Sequence, residues 1–204
     1  MALGADHSCA LVEDGTVACW GNAIYGQVGT GTWTALPNSP ALVEELPEVV
    51  DIETGSAHTC AITSEGAAWC WGSNAYGQLG TGEINEYPSH IEQSPVEVVV
   101  LTAIESMSLG GAFSCAMTTE DESVQCWGSN SHGKLGDGTE EDSLTPVPVE
   151  LEDVLEVDAG WLHACALNST RGLWCWGSNS QGQLGDNSTD HRATPVGVIF
   201  PEEE

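Results

Sequence analysis

Short apolar runs separated by turn residues recur along the whole chain and give the first indication of its architecture. Hydrophobic residues make up 41% of the 204 positions, and 24 glycines are distributed among them. Runs such as residues 95–100 begin with proline and are rich in valine, which is typical of short β-strands. The pattern predicts a turn-rich all-β protein, with residues 1–204 forming a single repeat domain.

A Cys-Trp-Gly motif occurs four times and sets the period of the chain. A Gly-x-x-His motif precedes three of the four copies, and a stretch ending in Gly-x-x-Gly follows each one. The tryptophans of the motif are spaced by 51, 56 and 49 residues and are Trp20, Trp71, Trp127 and Trp176. Because repeated units bury their apolar faces against their neighbours, we expect these tryptophans and His7, His58 and His163 to be structural core positions.

Each repeat supplies about four short strands, which is the content of one β-propeller blade. The approximate repeats are residues 1–36, 37–91, 92–143 and 144–192, and residues 193–204 hold a closing strand and an acidic tail. The proline-led runs are predicted to be edge strands, where proline is tolerated; they begin near Pro40, Pro95, Pro146 and Pro195.

The two ends of the chain are offset with respect to the repeat. The chain starts at a Gly-x-x-His motif and finishes with a proline-led strand, an offset that in propellers lets the last strand complete the first blade. If four blades do not close, the same strand is an open edge that another copy can pair with. The expectation is a partial propeller or a small ring.

All eight cysteines fall into pairs within the repeats: Cys9 with Cys19, Cys60 with Cys70, Cys115 with Cys126, and Cys165 with Cys175. If Cys60 and Cys70 stand opposite each other in a hairpin, residues 64–66 form its loop. The last residue of that loop is a glycine, which suits the left-handed conformation that three-residue hairpin loops require there. The Cα atoms of directly opposed strand residues lie about 4.5–5.5 Å apart, which is within the range that a disulfide requires. Zinc is the alternative, but the sequence contains no Cys-x-x-Cys knuckle. We expect one disulfide in each blade, with Arg171 replacing the loop glycine in the fourth.

The stretch of residues 55–80, with GSAHTCAI followed by WGSNAYGQLG, resembles the repeat of the regulator of chromosome condensation family. The resemblance extends over essentially the whole chain and implies a seven-bladed β-propeller. Four repeats are too few for that ring, which leaves a fragment, a partial arc that associates, or an unusually small closed ring. It implies several activities on one scaffold: guanine-nucleotide exchange on a small GTPase, chromatin binding and, in a secreted bacterial relative, β-lactamase inhibition. The cysteine pairs make the chain look like the secreted bacterial variants, and no exchange-factor wedge can be mapped onto it.

The charge of the chain limits the classes of partner. Thirty-one acidic residues face three basic ones, Lys134, Arg171 and Arg192, for a net charge of −28. Nucleic-acid binding requires cations that replace condensed counterions, so we exclude this class. An acidic surface fits a basic protein partner, divalent cations or a salty habitat, and is otherwise a solvated surface. The sequence contains no apolar run as long as a membrane span.

The pairs of cysteines favour an oxidising compartment, because disulfides are rare in the reduced cytosol. We therefore expect an extracellular, periplasmic or cell-surface location, with a signal peptide outside these residues. His7, His58 and His163 share one repeat position and could bind a metal together, but Phe113 fills that position in the third repeat. We expect these histidines to be held by backbone hydrogen bonds, and we predict no metal site and no cofactor.

No nucleophile elbow, P-loop or dinucleotide fingerprint occurs in the sequence, so we predict that the protein is not an enzyme. Trp33 and Trp161 fall in predicted loops and are candidate interface anchors. The leading hypothesis is a secreted or surface propeller that binds a protein partner through its blade loops. The alternatives are a guanine-nucleotide exchange factor and a module that assembles with itself through open propeller ends.

Overall fold

The computed structural model describes residues 1–32, 38–84, 90–119 and 122–201, which form four antiparallel sheets of four strands each. Blade 1 consists of β1 (Ala2–Leu3), β2 (His7–Leu11), β3 (Val17–Gly21) and β4 (Ala41–Val43). Blade 2 consists of β5 (Val49–Thr54), β6 (His58–Thr63), β7 (Ala68–Ser73) and β8 (Ile91–Glu97). Consecutive strands are hydrogen-bonded neighbours in each sheet.

Blade 3 consists of β9 (Ile104–Leu109), β10 (Phe113–Thr118), β11 (Val124–Gly128) and β12 (Ser143–Pro148), with a 3₁₀ turn at Ser131–Gly133. Blade 4 consists of β13 (Val154–Ala159), β14 (His163–Asn168), β15 (Leu173–Gly177) and β16 (Arg192–Gly197). Within the described residues, no helix is long and apolar enough to span a membrane.

The first strand of each blade lies innermost, around a common axis. Strand β5 contacts β1 on one side and β9 on the other, and β13 contacts β9. The fourth strands lie at the outer edge of each sheet, as the sequence predicts. Pro95, Pro146 and Pro195 lie inside these strands rather than at their starts, and Pro40 immediately precedes β4. Four meandering sheets stacked in this way are the blades of a β-propeller, so the predicted fold is confirmed.

The last strand does not complete the first blade. Strand β16 pairs with β15, with Cys175 opposite Val196, and it therefore closes blade 4. Blade 1 takes its inner strand from its own β1, whose Ala2 lies opposite Cys9. The expected exchange of the last strand is wrong, because each proline-led strand pairs with the Cys-Trp-Gly strand that precedes it. In the part of the chain that the structure describes, no contact comparable to those between neighbouring blades joins β1 to β13.

The predicted disulfides are present in all four blades. They join Cys9 to Cys19, Cys60 to Cys70, Cys115 to Cys126, and Cys165 to Cys175. Each pair is directly opposed in the register of the second and third strands, with Cα atoms 4.0–4.1 Å apart. The pairing predicted from the hairpin spacing is therefore confirmed in every repeat.

The hairpin loops beside these disulfides contain residues in the left-handed conformation. In the second hairpin, Gly66 has a φ of 76°, as the three-residue loop requires. Arg171 has a φ of 63° at the equivalent place in blade 4. Residues 120–121 of the third loop lie outside the described residues.

The hydrophobic core is divided into three parts, each shared between two consecutive blades. In each part, the disulfide face of one blade packs against the tryptophan face of the next, as Cys60 and Cys70 of blade 2 pack with Trp127 of blade 3. The apolar residue of each Gly-x-x-Gly motif fills the same layer and is buried: Val28, Leu79, Leu135 and Leu184. The stability of a blade therefore depends on its neighbour, as in other repeat proteins.

This arrangement predicts unequal effects when two disulfides of equal loop length are removed. Cys60 and Cys70 are both buried under blade 3, whereas Cys165 is half-buried and no further blade covers it among the described residues. Both pairs have a sequence separation of 10, so each double alanine variant loses about 2–3 kcal/mol through chain entropy. We expect Cys60→Ala with Cys70→Ala to lower the free energy of unfolding further, by about 1–2 kcal/mol, through lost packing.

Urea denaturation of both variants measures this difference, and peptide mapping without reduction checks the pairing. Equal losses of stability would show that the contact with blade 3 adds nothing to the disulfide between Cys60 and Cys70. Eight free thiols in native protein would contradict the disulfides altogether.

Candidate functional site

The Gly-x-x-His motif forms a tight turn at the inner end of each blade. In blade 2 the Gly55 N–H donates to the His58 carbonyl at 2.9 Å, and the same bond closes the turn in the other three blades. The ring of the fourth residue lies directly against the glycine, and a Cβ at Gly55 would overlap it. Glycine is required here for space, because the aromatic ring occupies the position of its missing side chain.

The ring of His7 reaches across the joint, by which we mean the contact between two consecutive blades, to blade 2. Its Nε2 lies 2.9 Å from the Thr59 hydroxyl. That hydroxyl donates to the backbone carbonyl of Gln27, at 2.9 Å, and the Trp71 indole N–H donates to the same carbonyl at 3.0 Å. One carbonyl of blade 1 thus accepts two hydrogen bonds from blade 2.

The second joint repeats this arrangement with different residues. His58 Nε2 lies 3.0 Å from the Ser114 hydroxyl, which donates to the carbonyl of Gln78 at 2.8 Å. The Trp127 N–H donates to that carbonyl at 3.0 Å. The backbone carbonyls of the histidines accept the turn hydrogen bonds, but the ring partner of His7 and of His58 is a hydroxyl of the next blade, which only the stacking of blades brings within reach.

The hydroxyl hydrogens assign the tautomer of both histidines. Since each hydroxyl donates to a carbonyl, the imidazole Nε2 carries a hydrogen and donates to the hydroxyl oxygen. The Nδ1 atoms of His7 and His58 are buried and have no hydrogen-bond partner among the described residues. Burial therefore lowers the pKa of His7 to about 4, against a partial opposing effect of Asp6, and burial lowers the pKa of His58 to about 3.

The third joint is built without a histidine. Phe113 and Ala164 stand in place of the histidine and the hydroxyl, and both are fully buried. The Trp176 N–H still donates to the backbone carbonyl of the preceding blade, here Lys134, at 3.1 Å. The Lys134 ammonium lies 5.5 Å from the centre of the Phe113 ring, and burial lowers its pKa. Both polar partners are lost together, so neither is left unsatisfied by the loss of the other.

The second glycine of each Gly-x-x-Gly motif makes room for the tryptophan of the next blade. A Cβ at Gly29, Gly80 or Gly136 would lie 2.6–2.8 Å from the indole nitrogen of Trp71, Trp127 or Trp176. These glycines also have φ values of 69–74°. The motif is thus a socket for an indole ring, and its conformation and its open space are both needed.

A mouth at one end of the propeller axis collects residues from all four blades. A cavity of about 230 Å³ lies where the innermost strands end, and the Gly-x-x-His turns surround it. The residue after the first glycine of these turns is small in three blades, namely Ala5, Ser56 and Gly111, whereas blade 4 has Trp161. Trp161 is 63% exposed and packs over Gly111, whose N–H donates to the Trp161 carbonyl at 3.2 Å.

Acidic side chains line the innermost strands just below this mouth. Burial raises the pKa of Glu53, and the nearby charges of Asp51 and Asp158 raise it further, against a smaller opposing effect of the N-terminal ammonium group. Asp158 accepts a hydrogen bond from the Ser108 hydroxyl at 3.0 Å. Carboxylates from blades 2 and 4 therefore share one electrostatic environment at the axis, which favours a positively charged group.

The structure distributes the repeated histidines over different places. His7 and His58 lie in successive joints, and His163 is half-buried at the end of the array, on blade 4. They do not converge on a metal, and no cluster of three potential ligands occurs among the described residues. Each histidine therefore belongs to its own blade face rather than to a common site.

The structure places one of the two candidate interface tryptophans. Trp161 lies at the axial mouth, whereas Trp33 lies outside the described residues. Sequence reasoning missed the joint hydroxyls Thr59 and Ser114, although their place directly after the histidine position was a usable signal.

The joints and the mouth together are those of a propeller segment that has one disulfide in each blade and an accessible surface at one end of its axis. The model of the regulator of chromosome condensation (RCC1) repeat matches residues 1–27, 49–78, 104–134 and 154–183, and a second model of that description matches residues 65–117, 121–167 and 172–204. The chain belongs to this family. Three of the matched segments begin at the first residue of β5, β9 and β13, in agreement with the blades of the structure.

The chain is similar to parts of larger proteins. It is 31% identical over 171 residues to the ultraviolet-B receptor UVR8 of Arabidopsis thaliana, covering 82% of this chain and 38% of the receptor. It is 35% identical over 177 residues to the E3 ubiquitin-protein ligase HERC2 of Homo sapiens, covering 82% of this chain and 4% of the ligase.

Solved structures show the same fold. Human WBSCR16 superimposes with a TM-score of 0.85 at 24% identity, and Prp20p of Saccharomyces cerevisiae with 0.83 at 24%. Each match covers 98% of this chain and about half of the other, 52% and 50%. The chain thus corresponds to about half of these propellers.

The joint chemistry predicts different costs for single and double substitutions in the second joint. Ser114→Ala leaves the His58 N–H buried without an acceptor, so we expect it to lower the free energy of unfolding by about 1–3 kcal/mol. Adding His58→Phe reproduces the apolar pair of the third joint, so the double variant should recover most of this loss. Chemical denaturation at pH 7 measures both, and a double variant less stable than Ser114→Ala would contradict the pairing.

The buried histidines also predict loss of stability in acid. In the unfolded chain a histidine has a pKa of about 6.5, whereas the pKa of His58 in the folded protein is about 3. Each buried histidine therefore lowers the free energy of unfolding by up to about 1.4 kcal/mol per pH unit as pH falls through this window. We expect His58→Phe with Ser114→Ala to show a shallower decline between pH 6 and 4 than the wild type, as measured by denaturation at each pH. Identical slopes would show that His58 is protonated in the folded protein.

Proposed function

We propose that the chain is a non-catalytic, protein-binding propeller segment that acts outside the reducing cytosol and holds its partner at the axial mouth. The observation that carries the proposal is Trp161, the one large side chain among four equivalent turn positions, which stands 63% exposed beside a cavity of about 230 Å³. A large aromatic side chain on a rigid turn supplies contact area at low entropic cost, which is why tryptophan is enriched among the residues that dominate binding energy.

The surroundings of Trp161 support a partner segment with an apolar anchor. Leu3 is 68% exposed and lines the same cavity, so apolar groups flank it on two blades. Between them, the turns of blades 2 and 3 contribute the small residues Ser56 and Gly111 to the cavity lining, which leaves the space beside the anchor open. The turns are held by hydrogen bonds between blades, such as that from Ser56 N–H to the Gly110 carbonyl at 3.3 Å. A preorganised surface loses little freedom on binding.

The charge at the axis supports a basic partner. Asp51, Glu53 and Asp158 lie just below the mouth, and the whole chain has a net charge of −28. A lysine or arginine next to the apolar anchor would be attracted to these carboxylates, and the field of the chain would accelerate its approach.

The location outside the cytosol is supported by the cysteines. All eight are paired in disulfides, and none is free. Such pairs persist in oxidising compartments. The exchange-factor alternative has no comparable support in the site, since the solved structures that match at 24% identity show a shared fold alone.

Selection from a displayed random-peptide library tests the proposed surface. We expect the native protein to enrich peptides that combine an aromatic or aliphatic anchor with lysine or arginine. Trp161→Ala should weaken binding of a selected peptide by about 30-fold, the effect of losing a residue that contributes about 2 kcal/mol. Binding should also weaken as salt rises, because the carboxylates are screened.

Tyr76→Ala is the matched control, since Tyr76 is an aromatic residue that is 47% exposed on a blade turn away from the mouth. This variant should bind the selected peptides as the wild type does. Enrichment of the same peptides on Trp161→Ala, or equal losses in the two variants, would refute the axial site.

A further inference from the structure

A cavity in the third joint lies apart from the axial mouth. Its volume is about 680 Å³, and it is formed by residues 150–153 on one side and by Asn168, Trp174 and Pro195 on the other. We call it the joint cavity. Both of its walls belong to described blades, since residues 150–153 link β12 of blade 3 to β13 of blade 4.

The joint cavity and the axial mouth lie at opposite ends of blade 4. Residues 150–153 precede β13, whereas Gly160, which follows β13, lines the mouth. The six residues of β13 span about 20 Å. A ligand in the joint cavity is therefore separate from one that binds at Trp161.

A short linking segment accounts for the opening. Between the last buried valine of one blade and the first strand of the next, the first two joints have five residues and the third has four; the segments are residues 44–48, 99–103 and 150–153. The Leu151 N–H donates to the Val149 carbonyl at 2.8 Å, which turns the short segment back on itself. The Ser169 N–H donates to the Asp153 carbonyl at 2.8 Å. This wall is therefore fixed before a ligand binds, and little freedom is lost on binding.

The indole ring of Trp174 forms part of the other wall. Trp174 and Trp176 are two residues apart on β15, so both side chains lie on the side of the sheet that faces blade 3. Trp174 is half-buried, and its indole nitrogen is buried with no hydrogen-bond partner among the described residues. Pro195 and Leu151 continue the apolar lining. The joint cavity thus has an aromatic wall on which a planar group can stack.

Three carboxylates line the cavity beside this aromatic wall, those of Glu150, Glu152 and Asp153, and all three residues are exposed. Within the described ranges none of them forms an ion pair, with Arg171 of the adjacent hairpin or with any other residue. Nor do they form a group of three ligands for a metal ion in the part of the chain that the structure describes. Negative charge spread along one wall favours an extended organic cation, whose several donors reach separate carboxylates.

Asn168 supplies a donor for a neutral part of the ligand. Its Oδ1 accepts from the Gly172 N–H at 2.8 Å and from the Thr170 hydroxyl at 2.8 Å, which assigns the orientation of the amide. Both lone pairs of this oxygen are engaged, so the amide nitrogen points away from these partners and is available to donate. A backbone carbonyl next to a cationic side chain suits this position.

We infer that the joint cavity binds a peptide segment through an arginine side chain, as a site additional to the axial mouth. The guanidinium stacks on the Trp174 ring and pairs with the carboxylates of residues 150–153, and the Asn168 amide donates to a backbone carbonyl of the segment. Arginine fits better than lysine, because its planar group stacks on an aromatic face, is weakly hydrated and has five donors. The volume of the cavity lies within the range of sites that enclose small ligands.

Titration with the peptide N-acetyl-Gly-Arg-Gly-amide tests the site. We expect a saturable shift of the Trp174 indole N–H signal in ¹H–¹⁵N spectra, and a weaker affinity for the peptide with lysine in place of arginine. The peptide with citrulline, a neutral group of the same shape, should produce no saturable shift. Binding should weaken as salt rises, because the carboxylates are screened.

Two paired substitutions with equal changes of charge separate the cavity from the general field of the chain. Glu150→Gln with Glu152→Gln should weaken the affinity for the arginine peptide about tenfold, as measured by calorimetry. Glu140→Gln with Glu141→Gln is the matched control, since both residues are exposed on blade 3 and neither lines the cavity. The control should bind as the wild type does.

The tryptophan has a matched control in another blade. Trp174→Leu should also weaken the affinity about tenfold. Trp69 lies opposite Ala61 in blade 2 as Trp174 lies opposite Ala166 in blade 4, but next to a linking segment of five residues. Trp69→Leu should therefore keep the wild-type affinity. Circular dichroism verifies that each variant is folded.

The indole signals of Trp174 and Trp161 report the joint cavity and the axial mouth separately. A shift at Trp161 without one at Trp174 would overturn the joint cavity and leave the axial site in place. Equal binding of the citrulline peptide, or equal losses of affinity in the two glutamine pairs or in the two leucine variants, would also overturn the inference.

Discussion

The hydrogen bond from the indoles of Trp71, Trp127 and Trp176 to a backbone carbonyl of the preceding blade is the contact on which the rest of the structure depends. A four-stranded blade has two faces and cannot bury either one alone. The indole is the largest side chain in each joint, and its N–H is satisfied, so it can be buried completely without a polar penalty. The glycine whose missing side chain leaves space for the ring follows from the need to seat this one group.

The joints show that repeat positions do not vary independently. In the third joint, Phe113 and Ala164 replace histidine and hydroxyl together, and Lys134 replaces glutamine beside the phenylalanine. The carbonyl that accepts the indole N–H is unaffected, since it belongs to the backbone. A polar network inside a core is stable only when all its members are satisfied, so it is exchanged as a unit.

The binding surface lies among the residues that do not repeat. The blade scaffold is common to proteins with different activities, and a shared propeller defines none of them. In this chain the turn positions around the axis hold small residues in three blades and Trp161 in the fourth. A single side chain on a rigid turn is thus enough to turn the end of a propeller into an asymmetric surface, while the acidic strands below it restrict the charge of what binds.

The sequence by itself determined the local architecture: short strands, hairpins with opposed cysteines, and core positions at the tryptophans. Cys60 and Cys70 lie within one hairpin, so the spacing of neighbouring residues is sufficient to set their register. It did not determine that β16 stays in blade 4, or that His58 bonds to Ser114, 56 residues away. Such partners meet only after blades stack around an axis, and a single blade carries no information about which neighbour covers its face.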